Sequence, residues 1–238
     1  MRERPLSYVP RPVLALLLLA LLAQLLWHYS QAKPSAKAQD LPPVPSYINM
    51  RLSSLGEPVP MAKLSMLKLQ AYDYQPGISI AFRDLDYHKV SGWLGRIVDL
   101  DPKGQYPLLA AARLYSEVPD PKRQRIMTEF VYRRFLDDPD ARWESLAHCA
   151  ILAKHRLHDL ALAQRYAKAI RERSSAKVPS WARQMEIFLL EDMNELESAK
   201  VVLGGILANR EVTDPRELHF LQQRLQALEA KLQNKSSP

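Results

Sequence analysis

Cysteine occurs once in 238 residues, at Cys149, so no disulfide can form within the chain and oxidation cannot staple the fold. Glycine is also scarce, at 7 residues, which disfavours a turn-rich β fold. There is no long block of lysine or arginine. The formal charge of +7 is compatible with nucleic acid or anionic lipid, but its dispersal along the chain reads as a solvated basic surface. Four catalytic signatures are missing as well: the G-x-S-x-G elbow, the phosphate-binding glycine loop, the G-x-G-x-x-G fingerprint and the H-E-x-x-H zinc helix. Nothing in the sequence therefore supports an enzyme, and neither a cofactor nor a small-molecule substrate is expected.

The histidines do not change that. His155 and His158 stand three apart and His148 stands seven before His155, a shared face only if one helix runs through all of them. "HRLHD" instead looks like a turn, and no carboxylate stands at a ligand spacing, so no metal is expected. Cys149 lies in "WESLAHCAILAKH" on an apolar helix face, where a core thiol is expected rather than a nucleophile. The acidic pairs Asp137-Asp138 and Glu191-Asp192 fall where helices end, and solvated helix ends explain them better than paired catalytic acids.

What is abundant is proline, at 18 residues, within a chain whose 47% hydrophobic and 25% charged content is that of a folded protein. Proline suits the first turn of a helix and ends the one before it, so many helix boundaries are expected.

Residues 13 to 27, "VLALLLLALLAQLLW", contain one polar residue, Gln24, and follow Arg2, Arg4 and Arg11. Basic residues, an apolar run, then Trp27 and Tyr29 at its edge are how a chain engages the secretion machinery. A spanning helix needs about 20 residues and at least about 17, so this run is short for an anchor and long for a cleaved signal. "YSQA" and "SAKA" both carry small residues at a peptidase spacing, so cleavage stays open beside an uncleaved anchor. The arginines favour a cytoplasmic N-terminus over residues 1–12 and a transmembrane or signal segment over 13–29. In a bacterium this predicts a single-pass inner-membrane protein whose body faces the periplasm. Residues 30–57, with Pro42, Pro43 and Pro45, read as an unpacked, semi-extended linker.

The remainder is periodic. Pro102, Pro139, Pro179 and Pro215 are separated by 37, 40 and 36 residues. An apolar triplet at i, i+4, i+7 recurs as Val90-Leu94-Ile97, Ala163-Ala167-Ile170 and Ala199-Leu203-Ile206. A partial copy, Met127-Val131, has Arg134 in its third place and Phe135 beside it. These triplets start 37, 36 and 36 residues apart. Agreement between two unrelated features predicts helix pairs stacked as a solenoid over residues 58–213. Trp143, Leu146, Ala147, Ala150 and Ile151 share one helix face, and Trp181, Met185, Phe188 and Leu189 another. Asp120, Asp159, Asn194 and Asp214 are positioned as helix caps.

These features resemble the tetratricopeptide-repeat family, in the small and apolar residues Ala163, Ala167, Ile170 and Pro179, and Ala199, Leu203, Ile206 and Pro215. That family's Trp, Leu-Gly and Tyr are out of register here, and the period exceeds its 34 residues. The resemblance implies an all-α, helix-pair solenoid behind one N-terminal membrane helix. The chain is also similar in build to bacterial membrane-anchored proteins, a likeness that supplies no activity.

Residues 214–233 place Leu218, Leu221, Leu225, Leu228 and Leu232 at alternating steps of three and four. The stripe suits a helix that caps the last repeat, or a short homodimerisation helix. Residues 234–238 read as a frayed tail. Two further features bear on partners. "QPGISIAF" alternates like a strand within helical surroundings, and Ile78, Ile80 and Phe82 either tuck onto the first helix pair or form a partner-binding edge. Lys122, Arg123, Arg125, Arg133 and Arg134 concentrate on one helix, as a solvated face or as a basic strip for an acidic peptide or lipid headgroups. Solenoid surfaces bind extended peptides or partner helices. The sequence thus predicts a membrane-tethered, non-catalytic scaffold for another protein, with a soluble periplasmic adaptor or an unrecognised enzyme as alternatives. Secretion argues against nucleic acid.

Overall fold

Aspartate and proline set the helix boundaries. The computed structural model describes residues 10–31, 38–75, 77–209 and 212–236. In order they form α1 (Arg11–Ser30), α2 (Tyr47–Ser53), α3 (Pro58–Gln70), β1 (Tyr74–Gln75), β2 (Ile78–Ser79), α4 (Tyr87–Leu100), α5 (Tyr106–Arg113) and α6 (Pro121–Phe135). Then come α7 (Pro139–His155), α8 (Leu160–Arg173), α9 (Ser180–Arg183), α10 (Met185–Asp192), α11 (Leu196–Ala208) and α12 (Pro215–Ser236). The side chains of Asp86, Asp120, Asp138, Asp159 and Asp214 accept first-turn backbone N–H groups of α4, α6, α7, α8 and α12. Each satisfies donors that the helix itself leaves unpaired. Pro121, Pro139 and Pro215 follow three of these caps at the first helical position, where a missing N–H costs nothing. Asn194 is not the N-cap of α11, a place that Glu195 takes. Asn194 has a left-handed backbone, φ 60°, and turns the chain out of α10.

Antiparallel neighbours pack in sequence: α3 on α4, α5 on α6, α7 on α8, α10 on α11, with α12 closing against α11. α4 also lies beside α6 and α5 beside α7, so the pairs stack. The periodic triplets are the reason. Val90, Leu94 and Ile97 on α4, Met127 and Val131 on α6, Ala163, Ala167 and Ile170 on α8, and Ala199, Leu203 and Ile206 on α11 are all buried. Each contributes the face on which the next pair sits. In α6 the third triplet place is taken by Phe135, buried, while Arg134 turns out of the core. Two apolar clusters result, a main one running from Leu41 to Leu189 and a smaller one built from α10, α11 and α12. All five leucines of the α12 stripe belong to the smaller cluster, with Leu221 and Leu228 each 1% exposed. The stripe is therefore covered by this chain's own helices.

Four expectations need correction. First, residues 41–53 are not an unpacked linker. Leu41 and Met50 are buried, Trp93 donates its indole N–H to the Pro42 carbonyl at 3.0 Å, and Arg96 donates to the Pro45 carbonyl at 3.1 Å. Val44 sits 2.6 Å from where a Cβ at Gly92 would stand, so glycine is needed there to admit this strap. Second, the apolar faces proposed around Trp143 and Trp181 are only partly core. Helix 180–192 breaks into α9 and α10, Ala182, Ile187, Leu189 and Leu190 go inside, and Trp181 and Ile151 remain 55% and 47% exposed. The two indoles meet edge to face at 5.3 Å. Third, α12 continues to Ser236, two residues short of the chain end, instead of fraying from Asn234. Fourth, α1 outruns the 15-residue apolar stretch. It has 20 residues, mean hydropathy 1.9 over its best window and none of its residues buried. At about 1.5 Å per residue it is about 30 Å long, the thickness of a bilayer's hydrocarbon core. By length and composition it suits either a signal sequence or a single anchor. Arg2, Arg4 and residues 35–37 of the second cleavage spacing lie outside the described residues.

The strand-like island is a small antiparallel hairpin pairing Tyr74 with Ser79 and Gln75 with Ile78. Gly77 turns it with a left-handed φ of 77°; Pro76 lies outside the described residues. Ile80 and Phe82 pack against the main cluster, Phe82 edge-on to Tyr115 at 5.6 Å, while Ile78 is half-buried. On the other side Gln75 exchanges two hydrogen bonds with the backbone of Gln39. The hairpin thus joins the strap to the first helix pair.

Candidate partner-binding groove

Helix α4 carries two glycines, Gly92 and Gly95, on one edge. A Cβ at Gly95 would stand 3.1 Å from the Arg134 guanidinium, so glycine makes room for that side chain. Arg134 uses the space to donate to the Gly95 carbonyl at 3.0 Å and to pair with Asp99 at 2.8 Å. Asp99 also pairs with Arg96 at 3.0 Å. From the other side Asp137 meets Arg134 at 3.5 Å and Arg142 at 3.2 Å. The result is an alternating line, Arg96–Asp99–Arg134–Asp137–Arg142, running from α4 across α6 to the start of α7.

Arg142 is 4% exposed, an unusual place for a cation. It donates to the carbonyls of Arg134 and Pro102, so it bolts the α6–α7 and α4–α5 turns together. The neighbouring Asp138 is committed to capping α7. At the end of α10, Glu191 binds Arg224 of α12 through both oxygens at 2.7 and 2.8 Å, and Asp192 pairs with Lys154. The acidic pairs are therefore fixed by cations or backbone N–H groups, not merely solvated helix ends.

The line floors a groove between α4, α6 and α8. Its centre, lined by His88, Ser91, Gly95, Phe130, Arg133 and Arg134 among others, has a volume of about 390 Å³. It continues past Tyr47, Lys103 and Arg142 into about 730 Å³. In the other direction it passes Arg125, Glu129, Leu162, Arg165 and Tyr166, about 370 Å³. Along this lining stand seven lysines and arginines against four carboxylates. Arg165 pairs with Glu129 at 3.3 Å and lies 4.3 Å over the Tyr132 ring. Arg133, 68% exposed, reaches Glu129 only at 4.0 Å.

Of the five basic residues singled out in the sequence, Arg125, Arg133 and Arg134 line the groove, and Arg125 is tied to Asp159 at 2.8 Å. Lys122 stands exposed at the start of α6. Arg123 pairs with Asp120 at 2.9 Å and covers the Tyr87 ring at 5.6 Å, a structural role. Ile78, Ile80 and Phe82 lie in and after the hairpin and are not part of the groove. Sequence reasoning missed Arg96, Asp99 and Arg142, and placed Arg134 in the basic strip without the partners it meets. One signal was available: Arg134 occupies a triplet place that every other repeat fills with an apolar residue, and a break in a buried pattern marks a side chain turned elsewhere.

Cys149 is fully buried in α7, and burial pushes its thiol well above the usual range. His155 ends α7 and His158 stands in the following turn with φ 51°, so the two do not share a helix face. Among the described residues no group of three or more His, Cys, Asp or Glu side chains is placed to hold a metal ion.

No protein-family model, no curated protein and no solved structure matches the chain. The tetratricopeptide resemblance rests on the period and the buried triplets alone.

Proposed function

We propose that this chain is a membrane-tethered, non-catalytic adaptor whose helix-pair body holds another polypeptide in the groove between α4, α6 and α8. The observation that carries the reading is the groove itself. It is long, open and lined by more cations than carboxylates, and its guanidinium floor is preorganised by hydrogen bonds and ion pairs to Gly95, Asp99, Pro102 and Asp137. Such a lining matches an acidic or extended peptide through carboxylates and backbone carbonyls, which arginine binds with two parallel N–H donors. α1 serves as the tether. In a bacterial cell the arginines before it favour a single pass of the inner membrane with the body in the periplasm, and that setting leaves no role for nucleic acid.

The test is photo-crosslinking in intact membranes. A crosslinking side chain replaces Ser91, in the groove of the full-length chain. A discrete partner band is expected, and it should vanish when Arg133→Glu and Arg165→Glu are introduced together. Retention of the band in that variant, or a crosslink to lipid only, overturns the reading. The mass of the mature chain, compared with 27.2 kDa, decides between tethered and released forms.

A further inference from the structure

Among the described residues of the body, six aliphatic side chains are more than 60% exposed, and five of them fall between residues 48 and 67: Ile48, Leu52, Leu55, Leu64 and Leu67. Their helical positions are informative. Met50 and Ser54 point α2 into the body, which leaves Ile48 and Leu52, four residues apart, on its outward face, and Leu55 exposed in the turn that follows. α3 buries Ala62, Ser65, Met66 and Leu69, which leaves Pro60, Leu64 and Leu67, spaced i, i+4, i+7, outward. α3 is thus apolar on both faces, and α2 buries Met50 while it turns Ile48 and Leu52 to solvent. Where they meet, a cleft of about 280 Å³ is lined by Asn49 and Ser53 from α2 and by Met61, Leu64 and Lys68 from α3. Leu55 is held 92% exposed with a left-handed φ of 50°, a conformation leucine rarely adopts. The apolar rows are flanked by exposed Arg51, Lys63 and Lys68, against the single exposed carboxylate Glu57.

We infer that the α2–α3 face lies on the surface of the same bilayer that α1 enters, apolar rows in the acyl boundary and cations among anionic headgroups. This rests on α1 being a membrane helix. Two observations choose lipid over another protein. The charge pattern is that of an interfacial helix, basic at the flanks and apolar between. The tether is also short. Leu41 is already buried in the body and Ser30 ends α1, so the intervening chain spans at most about 40 Å even fully extended. A body leashed that closely meets the bilayer at high effective concentration, so a modest affinity suffices. The geometry orients the groove as well as tethering it.

The full chain is reconstituted into phosphatidylcholine vesicles with and without phosphatidylglycerol. Nitroxides are attached one at a time at Leu52→Cys, Leu67→Cys, Leu18→Cys in α1, and Glu144→Cys as an aqueous control. Buried Cys149 stays unlabelled. Labels at 52 and 67 should collide with oxygen in preference to a water-soluble nickel chelate when phosphatidylglycerol is present. Lys63→Glu with Lys68→Glu should cut that preference by about tenfold or more. Labels at 52 and 67 exposed to the nickel chelate, with the label at 18 in lipid, overturn the inference and leave the anchor standing. Labels at 52 and 67 shielded from both probes mean a protein covers the face, which also overturns it. An aqueous signal at 18 sinks the anchor and this inference together.

Discussion

The two ends of the helix stack treat leucine in opposite ways. At the C-terminal end α12 turns its leucine stripe inward, Leu221 and Leu228 are buried, and Glu191–Arg224 latches the helix down. At the N-terminal end α2 and α3 turn Ile48, Leu52, Leu64 and Leu67 outward. A stack of helix pairs must end somewhere, and a terminal unit normally presents a polar outer face. One end obeys that rule. The other does not, and it is the end next to the apolar α1. The difference assigns the two ends to different surroundings, water for α12 and a less polar medium for α2–α3.

The largest effect tests this most directly. Leu228→Ala removes a fully buried side chain from the small cluster and should cost about 2–5 kcal/mol. Because that cluster is separate from the main one, α11–α12 should loosen first in amide exchange. Leu52→Ala and Leu64→Ala, the same kind of truncation at the other end, should change the stability of the detergent-solubilised chain by no more than about 0.5 kcal/mol. A cost above about 2 kcal/mol at Leu64 would mean that its exposure is not what the geometry indicates, and the contrast between the ends would fail.

Between the ends, Arg142→Ala should cost about 1–3 kcal/mol, since it removes a buried side chain together with its hydrogen bonds to the Arg134 and Pro102 carbonyls. Urea titration of the full chain measures it. Arg133→Ala, with an exposed guanidinium, should cost almost nothing yet weaken partner capture.

Much of the stack was legible in the sequence because a solenoid writes its core as a period. Pro139 and Pro215 begin helices and Pro179 caps one, and the triplet residues on α4, α8 and α11 went inside. The misses share a cause. The strap at 41–46 is held by backbone carbonyls of Pro42 and Pro45, which a sequence displays only as absent side-chain signal. The groove is built from residues far apart in the chain, such as Asp99 and Arg134, and a single sequence carries pairings of that kind only as irregularities. Ile151 and Phe188 misled because an apolar face can end at the wall of a cleft instead of in the core.

Acid should act on the middle of the stack before either end. In α7, burial chiefly, with Arg113 nearby, holds the His148 imidazolium below its ordinary range. Glu117, Arg113 and Arg156 face it, and the first is outvoted. Its folded value lies below its unfolded one near 6.5, so its contribution is complete above that pH and is lost as pH falls through the folded value. Asp120 and Asp159 follow at lower pH: their first-turn backbone N–H donors hold both carboxylates below the usual range, so their contributions vanish as they protonate. Thermal midpoints measured from neutral to mildly acidic pH should decline, and His148→Gln should flatten that first decline. An unchanged slope in the variant refutes the assignment.

A small effect of opposite sign lies at the N-terminal end, where the hairpin docks. Tyr115 is fully buried beneath Phe82 and beside Tyr87, which donates its hydroxyl to the Tyr115 carbonyl at 3.0 Å. The Tyr115 hydroxyl itself is buried with no hydrogen-bond partner. A buried polar group without a partner costs about 1–3 kcal/mol relative to water, while the ring around it packs regardless. Tyr115→Phe keeps both edge-to-face contacts and deletes only the oxygen, so stability should hold or rise by up to about 1 kcal/mol in chemical unfolding. A loss of more than about 1 kcal/mol would mean that the hydroxyl is satisfied and helps hold the hairpin to the first helix pair. The N-terminal end would then be sealed on this side as firmly as α12 seals the other, and only its α2–α3 face would remain exceptional.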